Sequence, residues 1–361
     1  MKKLSILFFF LLYSQLTFGQ NKVQLPKPSG AFEIGTFTTE IQTNIEDPFS
    51  LTANSFLKIP IQFWYPSDTD TLKLIAKYSP LFKETDSIIT NSFYKRQFAT
   101  TLQNVPVVLM CLGRGMTKHE YSGISEELAS HGYMVASIDL PYIGTTKLLD
   151  GNLIKSSQQF RLPPGMFEGP YERIDSFFVK ASSLGTKYMN EVINYITIQN
   201  STKTSPLYKK IAVNNFGVFG HSLGGRIAGQ LIAENKRVKA YISMEGIAPR
   251  DIRINGINKP MAYMLSEAIV KNAIANYEQA IPNRKSDLYI LVLKDFGHNS
   301  FTDYPIIDKA SANYKVDVNE SIRITRKILV SYFDMYLKLK GDFESNLRNE
   351  SLINLKKYRK Q

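Results

Sequence analysis

A serine, two competing glutamates and a histidine, in that chain order, carry the chemistry this sequence can support. Ser222 stands in Phe216-Gly217-Val218-Phe219-Gly220-His221-Ser222-Leu223-Gly224-Gly225, an apolar run entering G-x-S-x-G. Such a run predicts a strand that turns sharply into a helix, with the serine hydroxyl exposed on the turn and a backbone N–H aimed at an incoming oxyanion. Side chains at 220 or 224 would clash where strand and helix pack around a residue of unfavourable φ/ψ, so glycine belongs there. Ile227, Leu231 and Ile232 then recur at helical spacing.

A serine hydroxyl is a poor nucleophile at neutral pH and needs a base, for which histidine is the usual choice. The chain has four histidines. His119 and His131 precede the serine and flank a predicted surface helix, while His221 adjoins Ser222 on the turn itself and points elsewhere. His298 alone follows the serine, as the order serine, acid, histidine requires. It lies in Asp295-Phe296-Gly297-His298-Asn299, just past the apolar run Leu288 to Leu293, at the carboxyl end of a strand where α/β folds bind ligands. The acid must fall between Ser222 and His298, past a strand end, where it can accept the imidazole N–H and fix its tautomer. Glu245 directly follows the run Val238 to Met244, and Glu267 follows Met261 to Leu265 by two residues. Asp251, on a loop, is a distant third, and position alone leaves both glutamates open. One oxyanion donor is the Leu223 N–H; the turn Gly113-Arg114-Gly115 is placed to supply a second, through the backbone of Arg114. This chemistry implies no metal and no organic cofactor.

A parallel sheet must position these residues. Phe32 to Thr39 and Leu57 to Tyr65 predict a leading antiparallel hairpin, and 66–104 reads as a polar, mixed insertion. Val105 to Leu112 is a strand. A helix follows with Tyr121, Ile124 and Leu128 on one face and Gly132 as its stop, and Tyr133 to Leu140 is the next strand. Strand, helix, strand alternation predicts an α/β fold with a mostly parallel sheet, helices on both faces and right-handed crossovers. Residues 141–174 break the rhythm with Pro141, Pro163, Pro164, Gly165, Gly169 and Pro170, as an inserted lid-like loop does. Met166 and Phe167 in it are expected to pack on the core rather than dip into lipid. A helix from Asp175 places Phe177, Ala181, Leu184, Tyr188, Val192 and Tyr195 on one face, and a last helix spans Asn319 to Leu339, closed by Gly341. The expected organisation is one domain over 20–340, with 141–174 inserted, and a basic tail over 341–361.

Residues 1–19 read as an export signal: Lys2 and Lys3, an apolar run Leu4 to Leu12 too short to span a bilayer, and the small residues Thr17 and Gly19. A periplasmic or extracellular location follows, and with no cysteine near the cleavage point a lipid anchor is not expected. Cys111 has no partner cysteine in the chain and falls inside an apolar run, so it reads as a buried thiol. The formal charge of +12 concentrates toward the C-terminus in Lys338, Lys340, Arg348, Lys356, Lys357, Arg359 and Lys360. A solvated, partly frayed tail accounts for it, and peripheral contact with an anionic membrane surface is the sharper alternative. Nothing matches a nucleic-acid-binding motif, and no obligate protein partner is implied.

Three blocks match one family together: Pro106-Val107-Val108-Leu109 with Tyr121-Ser122 and Leu128-Ala129-Ser130-His131-Gly132-Tyr133-Met134-Val135-Ala136; Gly220-His221-Ser222-Leu223-Gly224-Gly225; and Gly297-His298-Asn299-Ser300-Phe301-Thr302-Asp303. On these blocks the chain resembles the secreted platelet-activating factor acetylhydrolases and their bacterial relatives, a branch of the α/β-hydrolases near the dienelactone hydrolases. The resemblance runs in outline from about residue 29 to residue 340. It implies an α/β-hydrolase fold and calcium-independent hydrolysis of ester-linked acyl chains, short or oxidised, at the second position of a phospholipid. It also places the triad acid on Glu245, where the family has an aspartate, and the second oxyanion donor on Arg114, where the family has an apolar residue. A backbone donor tolerates the latter change. Residues 141–174 depart from the family in detail, so substrate identity draws least from it. The expectation is therefore an exported serine esterase acting on a small ester or phospholipid through Ser222, His298 and Glu245. The rivals are a broad carboxylesterase or polyester hydrolase, and a binding protein on a hydrolase scaffold.

Overall fold

In the computed structural model, which describes residues 22–50, 54–79, 87–168, 170–307 and 315–360, the apolar runs pair into one twelve-stranded sheet. The export signal read over 1–19 lies outside the described residues. The chain first lays down β1 (Val23–Gln24), the long antiparallel pair β2 (Glu33–Glu46) and β3 (Phe56–Ser67), then β4 (Ile75–Lys77), β5 (Ile88–Phe93) and β6 (Val105–Cys111). After α1 (Ser122–Ser130) comes β7 (Met134–Ile138), and a small separate hairpin, β8 (Thr146–Lys147) with β9 (Leu153–Ile154), lies in the inserted segment. Helix α2 (Tyr171–Ser201) leads to β10 (Ile211–His221), α3 (Leu223–Glu234) and β11 (Val238–Met244). The remaining elements are α4 (Arg250–Asn255), β12 (Met261–Ser266), α5 (Glu267–Glu278), β13 (Leu288–Leu293), α6 (Tyr304–Ile307), α7 (Val318–Leu337), α8 (Phe343–Leu347) and β14 (Ile353–Tyr358).

The sheet order is β1-β5-β2-β3-β7-β6-β10-β11-β12-β13-β14, with β4 on β5, and the block from β7 through β13 is parallel throughout. Parallel strands are covered on both faces and so read as unbroken apolar runs; all seven residues of β6 are buried. Pro106 has no N–H to give a ladder, and it falls at the start of β6 where the register with β10 breaks. The two faces of β10 show how the layers form. A Cβ on Gly217 would meet Phe333 and Leu337 of α7, toward which Phe219 also points, whereas Gly220 lies against α3. Helices thus cover both faces of an α/β-hydrolase sheet.

Three expectations need correction. Residues 341–361 are not a frayed tail: α8 and β14 extend the sheet, with Ile353 to Tyr358 pairing antiparallel to β13. Their basic side chains are partly engaged, Lys357 reaching Glu344 at 2.7 Å and Asp287 at 3.4 Å. The charge masked a half-buried edge strand. The insertion over 66–104 contributes β4 and β5, and its packing buries α1, which is no surface helix: Glu126 accepts hydrogen bonds from Asn91 and Ser92, the latter at 2.6 Å. His119 is consequently buried as well, facing the Tyr78 ring at 6.3 Å. In the segment over the site, Met166 is buried but Phe167 is 65% exposed, so only the first packs inward.

Candidate active site

Ser222 follows β10 and stands at the N-cap position of α3 with φ 54° and ψ −121°. A non-glycine residue holds such a conformation only where its surroundings over-determine it. They do so here. Ser222 N–H donates to Met244 C=O at 2.8 Å, and Gly225 N–H returns to Ser222 C=O at 3.0 Å. A Cβ on Gly220 would lie 2.1 Å from Gly224 O, and one on Gly224 2.0 Å from Cys111 O, so neither position admits a side chain. The turn therefore sets Ser222 and Leu223 together on the wall of a cavity at the N-terminus of α3.

Glu245 is the first residue past β11, also at positive φ (56°), and its N–H continues the ladder to Met264 C=O at 2.9 Å. Its carboxylate is buried. One oxygen accepts the Ser266 N–H at 2.7 Å and the other meets His298 Nδ1 at 2.6 Å. Burial works against ionisation, but the hydrogen bonds from His298 and Ser266 outweigh it and hold the carboxyl below its ordinary value. Glu245 is thus an ionised acceptor at neutral pH, and it leaves the proton of His298 on Nδ1 and a lone pair on Nε2. The His298 side chain is half exposed, open to a reactant on its free side.

The other acids lie elsewhere. Glu267 opens α5 and is exposed, accepting Asp295 N–H at 3.3 Å, while Asp251 is exposed in the first turn of α4. Only Glu245 of the three touches His298. Arg114 sits in the turn Gly113 to Met116 after β6, closed by Met116 N–H on Gly113 C=O at 3.3 Å. Arg114, Leu223, Ser222, Glu245 and His298 all line one cavity of about 640 Å³, and Arg114, Ser222 and His298 also line a polar cleft of about 280 Å³. The larger chamber is walled by Leu162, Phe167, Tyr171, Ile174, Phe178 and Ile269. Its volume is that of a small-molecule site, mostly apolar with a few convergent polar groups.

Residues that motif reading passed over complete the site. Ser266 supplies the N–H that orients Glu245. Ser300 accepts Gly297 N–H at 2.9 Å, and Asp303 accepts Gly123 N–H at 3.0 Å, pinning the histidine loop to the start of α1. Ser300 and Asp303 both stood within the matched histidine block, which was the signal available for them.

Comparison with known proteins makes the chain a hydrolase of the esterase type. The chain belongs to the dienelactone hydrolase family, whose model matches residues 96–323. It is 22% identical to the platelet-activating factor acetylhydrolase of Bos taurus, over 92% of this chain and 81% of that one. It is 24% identical to a probable 1-alkyl-2-acetylglycerophosphocholine esterase of Arthroderma benhamiae, over 68% of this chain and 64% of that one. Among solved structures, a ferulic acid esterase from Streptomyces cinnamoneus superposes with a TM-score of 0.71 at 20% identity, over 89% of this chain and 95% of that one.

Proposed function

We propose that the protein is an exported serine esterase that cleaves a short or oxidised acyl group from a phospholipid through an acyl-enzyme. In this reading Ser222 Oγ attacks the ester carbonyl carbon while His298 Nε2 takes its proton. The carbonyl oxygen becomes an oxyanion held by the Arg114 and Leu223 N–H groups. Collapse of the tetrahedral adduct breaks the bond to the alcohol, which leaves with the proton from His298. Water then repeats the sequence on the acyl-enzyme, releasing the acid and restoring Ser222. Glu245 orients the ring and stabilises the imidazolium formed in each half.

The observation that carries the reading is the 2.6 Å contact of buried Glu245 with His298 in the cavity that Ser222, in a strained elbow, also lines. The phospholipid assignment draws on the names of the bovine and fungal relatives and on the apolar chamber next to Ser222. A substrate panel tests it: acetyl phospholipid, long-chain phospholipid, glycerides and simple p-nitrophenyl esters. The expected result is a higher kcat/KM on acetyl phospholipid than on the others. Equal rates on simple esters would make the enzyme a broad carboxylesterase instead.

A further inference from the structure

The residue before the nucleophile lines the smaller cleft with Ser222 and His298, but both of its ring nitrogens are engaged inside the protein. His221 is fully buried, and its two ring nitrogens reach different parts of the site: Nε2 lies 2.7 Å from the His298 carbonyl oxygen and Nδ1 lies 2.9 Å from the Tyr121 hydroxyl. The proton positions follow from chemistry. A carbonyl oxygen only accepts, so Nε2 carries the hydrogen. Burial, with the neighbouring His298, drives the His221 pKa down to about 3, so the ring is neutral and Nδ1 must accept. The Tyr121 hydroxyl is its donor. The same oxygen, wholly buried, accepts the Gly113 N–H at 3.2 Å. Met116 Sδ also lies 2.9 Å from that hydroxyl, but a thioether is a weak acceptor beside an imidazole lone pair.

A single directed chain results: Gly113 N–H to Tyr121, Tyr121 O–H to His221, His221 N–H to His298 C=O. It starts beside Arg114 in the turn proposed to hold the oxyanion, passes through the residue bonded to Ser222, and ends on the main chain of the proposed base. A further observation singles out this chain. Gly113 has no positive φ, yet a Cβ there would lie 2.9 Å from His221 Nδ1 and 3.1 Å from the Tyr121 hydroxyl. Glycine at 113 leaves room for the relay rather than easing a turn.

From this geometry we infer that His221 and Tyr121 are positioning residues that hold the base loop and the oxyanion turn in register with the nucleophile. The His298 side chain is half exposed, with its ring held by Glu245 at 2.6 Å and faced by the His221 ring at 4.6 Å, and the relay fixes the main chain that carries it. The inference rests on the reading of Ser222 and His298 as nucleophile and base.

The test measures kcat and KM on a p-nitrophenyl ester per active site titrated with a fluorophosphonate, for wild type, His221→Leu, His221→Gln and Tyr121→Phe, with Ser222→Ala, which offers no site to titrate, assayed per mole of protein. Misplacement of reacting groups lowers the rate of the chemical step, so His221→Leu and Tyr121→Phe should lose about 10- to 100-fold in kcat per titrated site with KM little changed. Glutamine can both accept and donate at similar spacing, so His221→Gln should recover most of that loss. A purely structural role would lower the yield of titratable sites and leave kcat per site intact, which overturns the inference. If the leucine variant does not fold, ¹⁵N NMR of wild type decides: a Nε2–H tautomer at His221 is expected, and a Nδ1–H tautomer overturns it. Activity retained by Ser222→Ala would instead strike the mechanism on which the inference rests.

Discussion

Replacing Glu245 by glutamine removes one charge and changes little else. The amide is isosteric, and its oxygen can still accept the Ser266 N–H now held at 2.7 Å. What is lost is the attraction between a carboxylate and the imidazolium that forms on His298. With Nδ1 and Oε2 2.6 Å apart, the two charge centres lie about 4 Å apart, and at an effective dielectric of about 20 their attraction is about 4 kcal/mol. In the proposed mechanism the imidazolium forms in the transition state, so that energy falls on kcat, a loss of about 1000-fold. An amide nitrogen turned toward Nδ1 would add to the loss by favouring the wrong tautomer. Steady-state kinetics on a p-nitrophenyl ester at neutral pH give the number, with KM expected to change by no more than about threefold. The exposed Glu267→Gln variant should stay within about twofold of wild type, as surface substitutions usually do. The carboxyl of Glu245 is held below its ordinary value and is therefore ionised at the neutral pH of the comparison. A loss of less than about tenfold from Glu245→Gln would refute the assigned role, because no ionised acid would then be assisting the base.

Two further outcomes follow from the packing. Truncation after Gly341 uncovers the edge of β13 and removes Phe343 and Leu347, both buried, the first with its ring 5.0 Å from that of Tyr289. Losing those two side chains alone should cost about 3–6 kcal/mol of unfolding free energy in a urea titration, and unchanged stability would restore the view of this segment as a tail. Asp303 is buried, and desolvation raises its carboxyl to about 7 against the opposing Gly123 N–H. The folded state therefore holds the proton more tightly than the unfolded chain, and the stability this confers is full at acid pH and lost as pH rises through about 7. Asp303→Asn should flatten that decline in thermal melts taken across the range, whereas parallel melting curves would contradict the shift.

The nucleophile turn was legible because its constraint is local: glycines at 220 and 224 and a serine between them leave few alternatives once a strand precedes and a helix follows. His298 was legible by chain order. Glu245 and Glu267 were not separable by position, since both follow strand ends; what divides them is direction, and direction depends on the register of β11 and β12. The edge strand β14 was missed because Lys356 and Lys357 drew attention away from the alternating Ile353 and Leu355. The roles of His221 and Tyr121 were invisible for a different reason. They are a hundred residues apart, and each is unremarkable until the elbow folds against the turn after β6.

The central claim is that Ser222 is the nucleophile of an esterase, and covalent labelling addresses it most directly. Purified protein treated with a fluorophosphonate and digested for peptide mass mapping should carry one adduct, on Ser222, with esterase activity lost in proportion to labelling. Esterase activity that survives full modification of Ser222, or an adduct that forms on another residue as activity falls, would contradict the account.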